Sequence, residues 1–343
     1  MKYLATVGYY GTGSSAITDL VSEYSDVYNP TNSDYELKFF FGYNGIPKLH
    51  NYIINQQNYQ MYAVRDFLSE AEFVSTFGTK MNYEKYFNRM FMKLTREYIR
   101  ELGGTYYSKG YTSLDYYQLS KVKILIWRII NKVYSIVNAL NPHKEDKRMS
   151  TVHPFEHKID VYMFDISENE FFKITGKYLD GLFSSITKDF QTFMIDGIID
   201  RKIIDFINKC FSDIRICIVD RDPRDVYLSM KYVWKVTKPS DINVEKFVES
   251  WKLERRQTVY EKLENVLKIQ FEDMIYNYEN TIRKIEEFMN LNPDNHIHIR
   301  TRFNPEVSKN NTRLWEKIEN EKENIAYIEN ELSDWLYSYD KVK

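Results

Sequence analysis

Cysteine is almost missing from this chain: only Cys210 and Cys217 occur in 343 residues. Two thiols exclude a disulfide framework and a four-thiolate metal site, and they suit a reducing compartment. They are expected in the core, on a helix end and inside an apolar strand. Glycine (12) and proline (8) are scarce, which excludes collagen-like and low-complexity classes and makes each occurrence informative. Neither sign of charge dominates, since 47 basic side chains stand against 49 acidic ones for a formal net charge of −2. A nucleic-acid binder would carry a clear basic excess. Long apolar runs are absent too. Residues 122–140 come nearest, but Lys123, Arg128, Asn131, Lys132 and Asn138 interrupt them. A spanning helix needs about 20 nearly uninterrupted apolar residues, so the stretch is expected to be a buried helix, with no integral membrane segment in the chain. No targeting segment is expected, and the location follows as cytoplasmic.

What is abundant is aromatic: 16% of the residues are Phe, Trp or Tyr. Tyr106, Tyr107, Tyr111, Tyr116 and Tyr117 either pack core and rim or offer a surface on which a sugar can stack. Phe247 and Trp251, four apart, are expected in the core.

Three of the 12 glycines lie between Gly8 and Gly13. An apolar, β-branched run (residues 3–7) precedes them and a helical pattern (Ala16, Ile17, Leu20, Val21) follows, which predicts strand, glycine loop, helix. Gly11, Thr12, Gly13, Ser14 and Ser15 have the character of a phosphate cradle, in which glycines turn backbone N–H groups toward an anion. Ser14 stands where a nucleoside-triphosphate-hydrolysing loop carries lysine, which argues against such chemistry. Further strands are expected over residues 36–41, 192–199, 214–219 and 267–271. Helices are expected over most of 82–183, from Pro223, over 244–263 and 280–289, and along a charged tail, 314–339. Alternating strands and helices predict an α/β fold with a parallel β-sheet flanked by helices. Residues 81–185 read as a large helical insertion, and residues 316–331 as a solvated helix face.

The apolar run 214–219 leads into Asp220-Arg221-Asp222-Pro223-Arg224-Asp225. Asp222 suits the N-cap, Pro223 the first helical position and Asp225 the capping-box position. That places Arg221 at the carboxyl end of a strand, where α/β ligand sites form, with Ser229 two turns into the helix.

The combined pattern resembles the sulfotransferases that use 3′-phosphoadenosine 5′-phosphosulfate (PAPS). Their N-terminal phosphosulfate loop is similar to residues 10–15. Their second motif matches Arg221-Asp222-Pro223-Arg224-Asp225 and Ser229. Phe271-Glu272-Asp273-Met274, with the helix end Phe288-Met289-Asn290-Leu291, is similar to a third element, and residues 308–315 to the loop that closes over the nucleotide. The resemblance covers residues 1–45 and 190–316. It implies a single P-loop-like sulfotransferase domain over 1–343 with an insertion at 81–185 and a helical tail at 314–343. It further implies that Gly11–Ser15, Arg221, Ser229, Lys309 and Asn311 bind PAPS or its product 3′,5′-phosphoadenosine (PAP), without a metal.

Gly11 replaces the basic residue usual in that loop. Lys309 is the first candidate to supply the missing charge, followed by Arg313, Arg65 and Arg201. Asp196 is the first candidate for general base, with Glu36 and His50 behind it. A carbohydrate or small-molecule acceptor is expected, and the insertion is free to bind it or to build a homo-oligomer. A P-loop kinase or NTPase, using Asp220 for magnesium, and an inactive nucleotide-binding scaffold stand as alternatives. His153 and His157 flank Pro154, and His296 and His298 are expected on one face of an extended segment; both pairs lack a third metal ligand.

Overall fold

The computed structural model describes residues 1–9, 11–31, 37–55, 60–76, 82–103, 105–111, 120–140, 158–186, 189–190, 192–196, 203–234, 243–256 and 259–339. Its centre is a five-stranded sheet of β1 (Lys2–Gly8), β2 (Val27–Tyr28), β5 (Thr192–Ile195), β6 (Ile214–Asp220) and β7 (Val266–Gln270), in the order β2-β5-β1-β6-β7. All four pairings are parallel. The remaining strands, β3 (Thr105–Tyr111) and β4 (Lys158–Met163), form a separate antiparallel pair. The fold is therefore α/β, with helices on both faces of a parallel sheet.

Parallel strands buried on both faces read as continuous apolar runs, and β1 and β6 do so. Successive side chains alternate between two cores. Tyr3, Ala5, Val7, Ile216 and Ile218 face one; Leu4, Met194, Cys217 and Val219 face the other, where helix Ser15–Val21 packs through Ile17, Leu20 and Val21. Both cysteines are buried, and burial pushes their thiols up.

The aromatic excess fills the first core. Helix Glu168–Ile186 sends Phe183 against Tyr3 and Phe193, at ring separations of 5.2 and 5.3 Å. Tyr98 of helix Phe91–Glu101 stacks on Tyr178 at 4.4 Å. Their hydroxyls are satisfied within the core, Tyr98 by Thr175 at 2.9 Å and Tyr178 by Thr95 at 2.7 Å. Part of the region read as an insertion is thus the packing layer of the sheet itself.

Several expectations are corrected. Residues Lys38–Phe41 form one helical turn, not a strand. Phe39, Phe40 and Phe41 are all buried, and a short apolar run cannot by itself distinguish the two. The stretch 82–183, expected to be mostly helical, contains the antiparallel pair β3–β4, which begins after Gly103 at φ +78°. The helix expected over 244–263 stops at Glu254, followed by a turn at Val259–Lys262. The tail is a run of short turns around helix Lys322–Glu331, and it buries Ile325, Ile328 and Leu332 against Val226, Leu228 and Trp251. Glu321 in that tail is buried and paired with Lys231 at 2.7 Å. Helix Lys121–Ala139 has no buried side chain among those described; it is not the buried helix expected. Among the described residues no helix is long and apolar enough to cross a membrane.

Candidate active site at the carboxyl edge of the sheet

The carboxyl ends of β5, β1, β6 and β7 meet along one edge. From β1 the chain enters the glycine loop, where Gly11 (φ +79°) and Gly13 (φ +91°) take conformations open mainly to glycine. Space enforces the same choice. A Cβ on Gly13 would lie 2.9 Å from the Phe271 ring, and one on Gly11 2.4 Å from the Trp234 ring. Thr12 turns inward and is fully buried, its hydroxyl 2.6 Å from the Val219 carbonyl and 2.8 Å from that of Tyr9. That clamps the loop to the end of β6. Ser14 is half-buried and Ser15 exposed. Among the described residues, the N–H groups of Gly13, Ser14 and Ser15 have no acceptor.

Beside this loop lies Arg221, 3% exposed. Its guanidinium donates to the Ser229 hydroxyl at 3.0 Å, to the Gly11 carbonyl at 3.4 Å and to the Asn311 carbonyl. Its Nε is buried without a partner, and the guanidinium lies 5.0 Å over the Phe271 ring. No carboxylate among the described residues forms an ion pair with it. Burial lowers its pKa, against the pull of Asp225, Glu272 and Asp222. A buried cation held only by neutral oxygens is a site prepared for an anion.

The residues after Arg221 build its support. Asp222 caps helix Pro223–Leu228 through the Arg224 N–H at 2.9 Å and pairs with the Arg224 side chain at 2.7 Å. Arg224 also reaches Glu329 at 2.8 Å and lies 3.7 Å over Trp315. Asp225 accepts from the backbone N–H groups of Arg313 (3.0 Å) and Leu314 (2.8 Å). Glu272, fully buried, accepts from the Asp222 N–H at 2.9 Å, while its Oε2 is left unpaired. Burial pushes Asp225 up to about 7 and Glu272 up to about 8. One arginine of the motif faces the site, and the other residues tie helix, C-terminal loop and tail together behind it.

The other candidates are scattered. Asp196 directly follows β5 and lies half-buried on the face of helix Ser15–Val21, 3.5 Å from the Thr6 hydroxyl. Lys309 is exposed, its ammonium 5.9 Å from the Tyr276 ring centre, with no ion-pair partner among the described residues. Asn311 meets Arg221 through its backbone carbonyl; its side chain is exposed. The Arg313 side chain is turned to Glu316 at 2.6 Å and Arg65 to Asp66 at 3.2 Å. His50 bonds Glu168 at 3.1 Å among Phe171, Phe172 and Phe206, and burial lowers its pKa. His296 and His298 do not share a face: His296 is buried against Glu23 at 2.8 Å and His298 is exposed. Glu36, Arg201, His153, His157, Tyr116 and Tyr117, and the side chains of Tyr106, Tyr107 and Tyr111, lie outside the described residues.

Sequence reasoning missed another buried cation, Arg255. Arg255 is sandwiched between Trp251 (3.3 Å) and Tyr9 (3.8 Å) and pairs with Asp220 at 2.6 Å, which Lys268 also approaches at 3.2 Å. Asp220 is thereby committed to two cations. Only the aromatic at Trp251, four residues before Arg255, hinted at this.

Residues 207–335 match the family model described as a sulfotransferase domain. The glycine loop precedes that region, while Arg221, Ser229, Phe271 and Lys309 lie inside it. No curated protein matches the chain. Among solved structures, the sulfotransferase STF9 from Mycobacterium avium is similar at 12% identity, covering 87% of this chain and 67% of that one with a TM-score of 0.35. The anion-ready Arg221 thus lies inside the part of the chain, residues 207–335, that is similar to a sulfotransferase domain.

Proposed function

We propose that this protein moves a sulfuryl group from PAPS to a hydroxyl or amine of an acceptor, with a carbohydrate or polysaccharide precursor as the acceptor class and the cytoplasm as the place. The observation that carries the proposal is Arg221: a buried guanidinium at the carboxyl end of β6, bonded to Ser229, with an orphaned Nε and no carboxylate partner among the described residues. PAPS supplies an activated sulfuryl group joined to a phosphate that departs as PAP. Arg221 and Ser229 hold the 3′-phosphate, and the N–H groups of Gly13, Ser14 and Ser15 receive the 5′-phosphosulfate. Gly11 leaves that phosphate open to close approach. Lys309, exposed and uncommitted among the described residues, balances the charge that grows on the departing group. Asp196 takes the acceptor proton as general base. Positioning and electrostatics do the rest, without a metal.

Asp220 is paired with Arg255 and Lys268, which weighs against a magnesium-dependent kinase or NTPase. A scaffold that binds PAP without turnover is favoured by one feature, the missing basic residue at Gly11.

Calorimetry with PAP, beside magnesium-ATP, on the native chain and Arg221→Ala tests the proposal. Loss of one charge-assisted contact costs about 1.5–3 kcal/mol, or roughly tenfold to a hundredfold in affinity. PAP binding that collapses in the variant is expected. Absence of PAP binding, or preference for magnesium-ATP, overturns the donor assignment. If PAP binds tightly yet no acceptor panel is sulfated from PAPS, the scaffold replaces the enzyme.

A further inference from the structure

Helix Lys121–Ala139 lies in the chain between the paired strands β3 and β4, and every described side chain on it is exposed or partly exposed. Val122, Ile126, Ile129, Val133, Ile136 and Leu140, at its end, are 66, 41, 55, 56, 54 and 78% exposed. At about 100° per residue these positions fall within an arc of about 80°, so the exposed apolar atoms form one continuous stripe. A monomer that keeps such a stripe in water is holding an interaction surface.

The charges beside the stripe select the partner. Residues 120–140 contain Lys121, Lys123, Arg128 and Lys132 and no acidic residue. Lys121, Arg128 and Lys132 cluster on one flank of the stripe, about 100° round the helix from its centre. The alternating spacing of four and three would also suit a helix pair, but a second copy would set lysine and arginine against lysine and arginine. We propose that this helix lies flat on an anionic membrane surface, its apolar stripe in the acyl boundary and its basic flank among the headgroups. Four cations and the lack of any membrane-crossing helix among the described residues restrict it to lying on the bilayer. The proposal does not depend on the sulfuryl-transfer reading.

The test is flotation of the full chain with vesicles of phosphatidylcholine alone and with 30% phosphatidylglycerol as probe (a composition of roughly the surface charge at which basic segments bind), beside sedimentation velocity without lipid. Binding is expected to the anionic vesicles, at least about tenfold stronger than to the zwitterionic ones, and weakened by salt. Each basic residue near such a surface is worth about fivefold in partitioning. Lys121→Glu/Arg128→Glu/Lys132→Glu should therefore lose about a hundredfold or more. Ile129→Asp/Val133→Asp, at exposed positions that leave the melting temperature unchanged, should abolish flotation. Failure to bind anionic vesicles above the zwitterionic level overturns the proposal. So does undiminished binding by the Ile129→Asp/Val133→Asp variant, or a dimer in solution that this variant dissociates while the native chain ignores vesicles.

Discussion

The glycine loop and residues 220–229 face the same edge of the sheet but are fixed there by opposite means. Apart from the Arg221 guanidinium on the Gly11 carbonyl, the loop is held by neutral contacts: the Thr12 hydroxyl on the Val219 and Tyr9 carbonyls, and close aromatic faces over Gly11 and Gly13. Around Arg221 the support is ionic and buried, with Asp222, Arg224, Asp225 and Glu272 interlocked and the C-terminal segments bonded to them. Neutral groups hold a shape without competing for a ligand's charge. Buried charges hold a shape only while every partner remains. The loop should therefore fail locally and the second element collectively.

The sharpest break in that comparison is Asp222→Ala. It removes the cap, the buried one of Arg224's two carboxylate partners (Glu329 remains at 2.8 Å) and the acceptor for the Tyr337 N–H together. Removing one partner of a buried pair costs about 3–5 kcal/mol, and with Glu329 still in place chemical denaturation should record a loss toward the lower end of that range. A loss below about 1 kcal/mol would show that the network is ornamental. Gly13→Ala is the loop's counterpart. Its φ of +91° and the Phe271 ring at 2.9 Å should cost about 1–2 kcal/mol, yet weaken PAP binding well beyond the stability change, because the ring and loop shift together. Equal losses in stability and affinity would contradict the division. Arg221→Ala should do the reverse of Asp222→Ala, sparing stability relative to affinity.

The same division explains what was legible in the sequence. Strand, glycine loop and helix at residues 2–21, and the capped helix after β6, are encoded within a dozen residues by glycine, proline and cap chemistry, so pattern reading reached them. The Arg255 sandwich was out of reach, because Tyr9, Asp220, Trp251 and Lys268 are brought together only by the sheet order. Residues 38–41 were misread because three phenylalanines in a row satisfy a buried turn as well as a strand. Residues 122–140 were misread because apolar periodicity reports that a stripe exists, and packing alone decides whether the protein covers it.

The smallest effect is also the most diagnostic, since it links the charged support to the ligand. Burial pushes Asp225 up to about 7 and Glu272 up to about 8. A folded-state pKa above the unfolded value favours the fold most at low pH, and that contribution is lost as pH rises through 7 and 8. Stability should accordingly fall as pH rises from about 4.5, near the unfolded values, to about 8, and level off above that. A phosphate on Arg221 adds negative charge beside both carboxyls, and beside Asp222, so it favours their protonated forms. Binding PAP should take up a fraction of a proton, and affinity should drop roughly threefold per pH unit between pH 7 and 9, above the phosphate's own titration. Calorimetry in two buffers of different ionisation enthalpy measures that uptake directly. Affinity that is flat or rises with pH would mean that the carboxyls stay ionised behind Arg221. Its anion preference would then come from geometry alone. If instead the uptake vanishes in Asp225→Asn while binding persists, the coupled carboxyl is Asp225, whose two backbone bonds to Arg313 and Leu314 join the ligand's charge to the closure of the C-terminal loop.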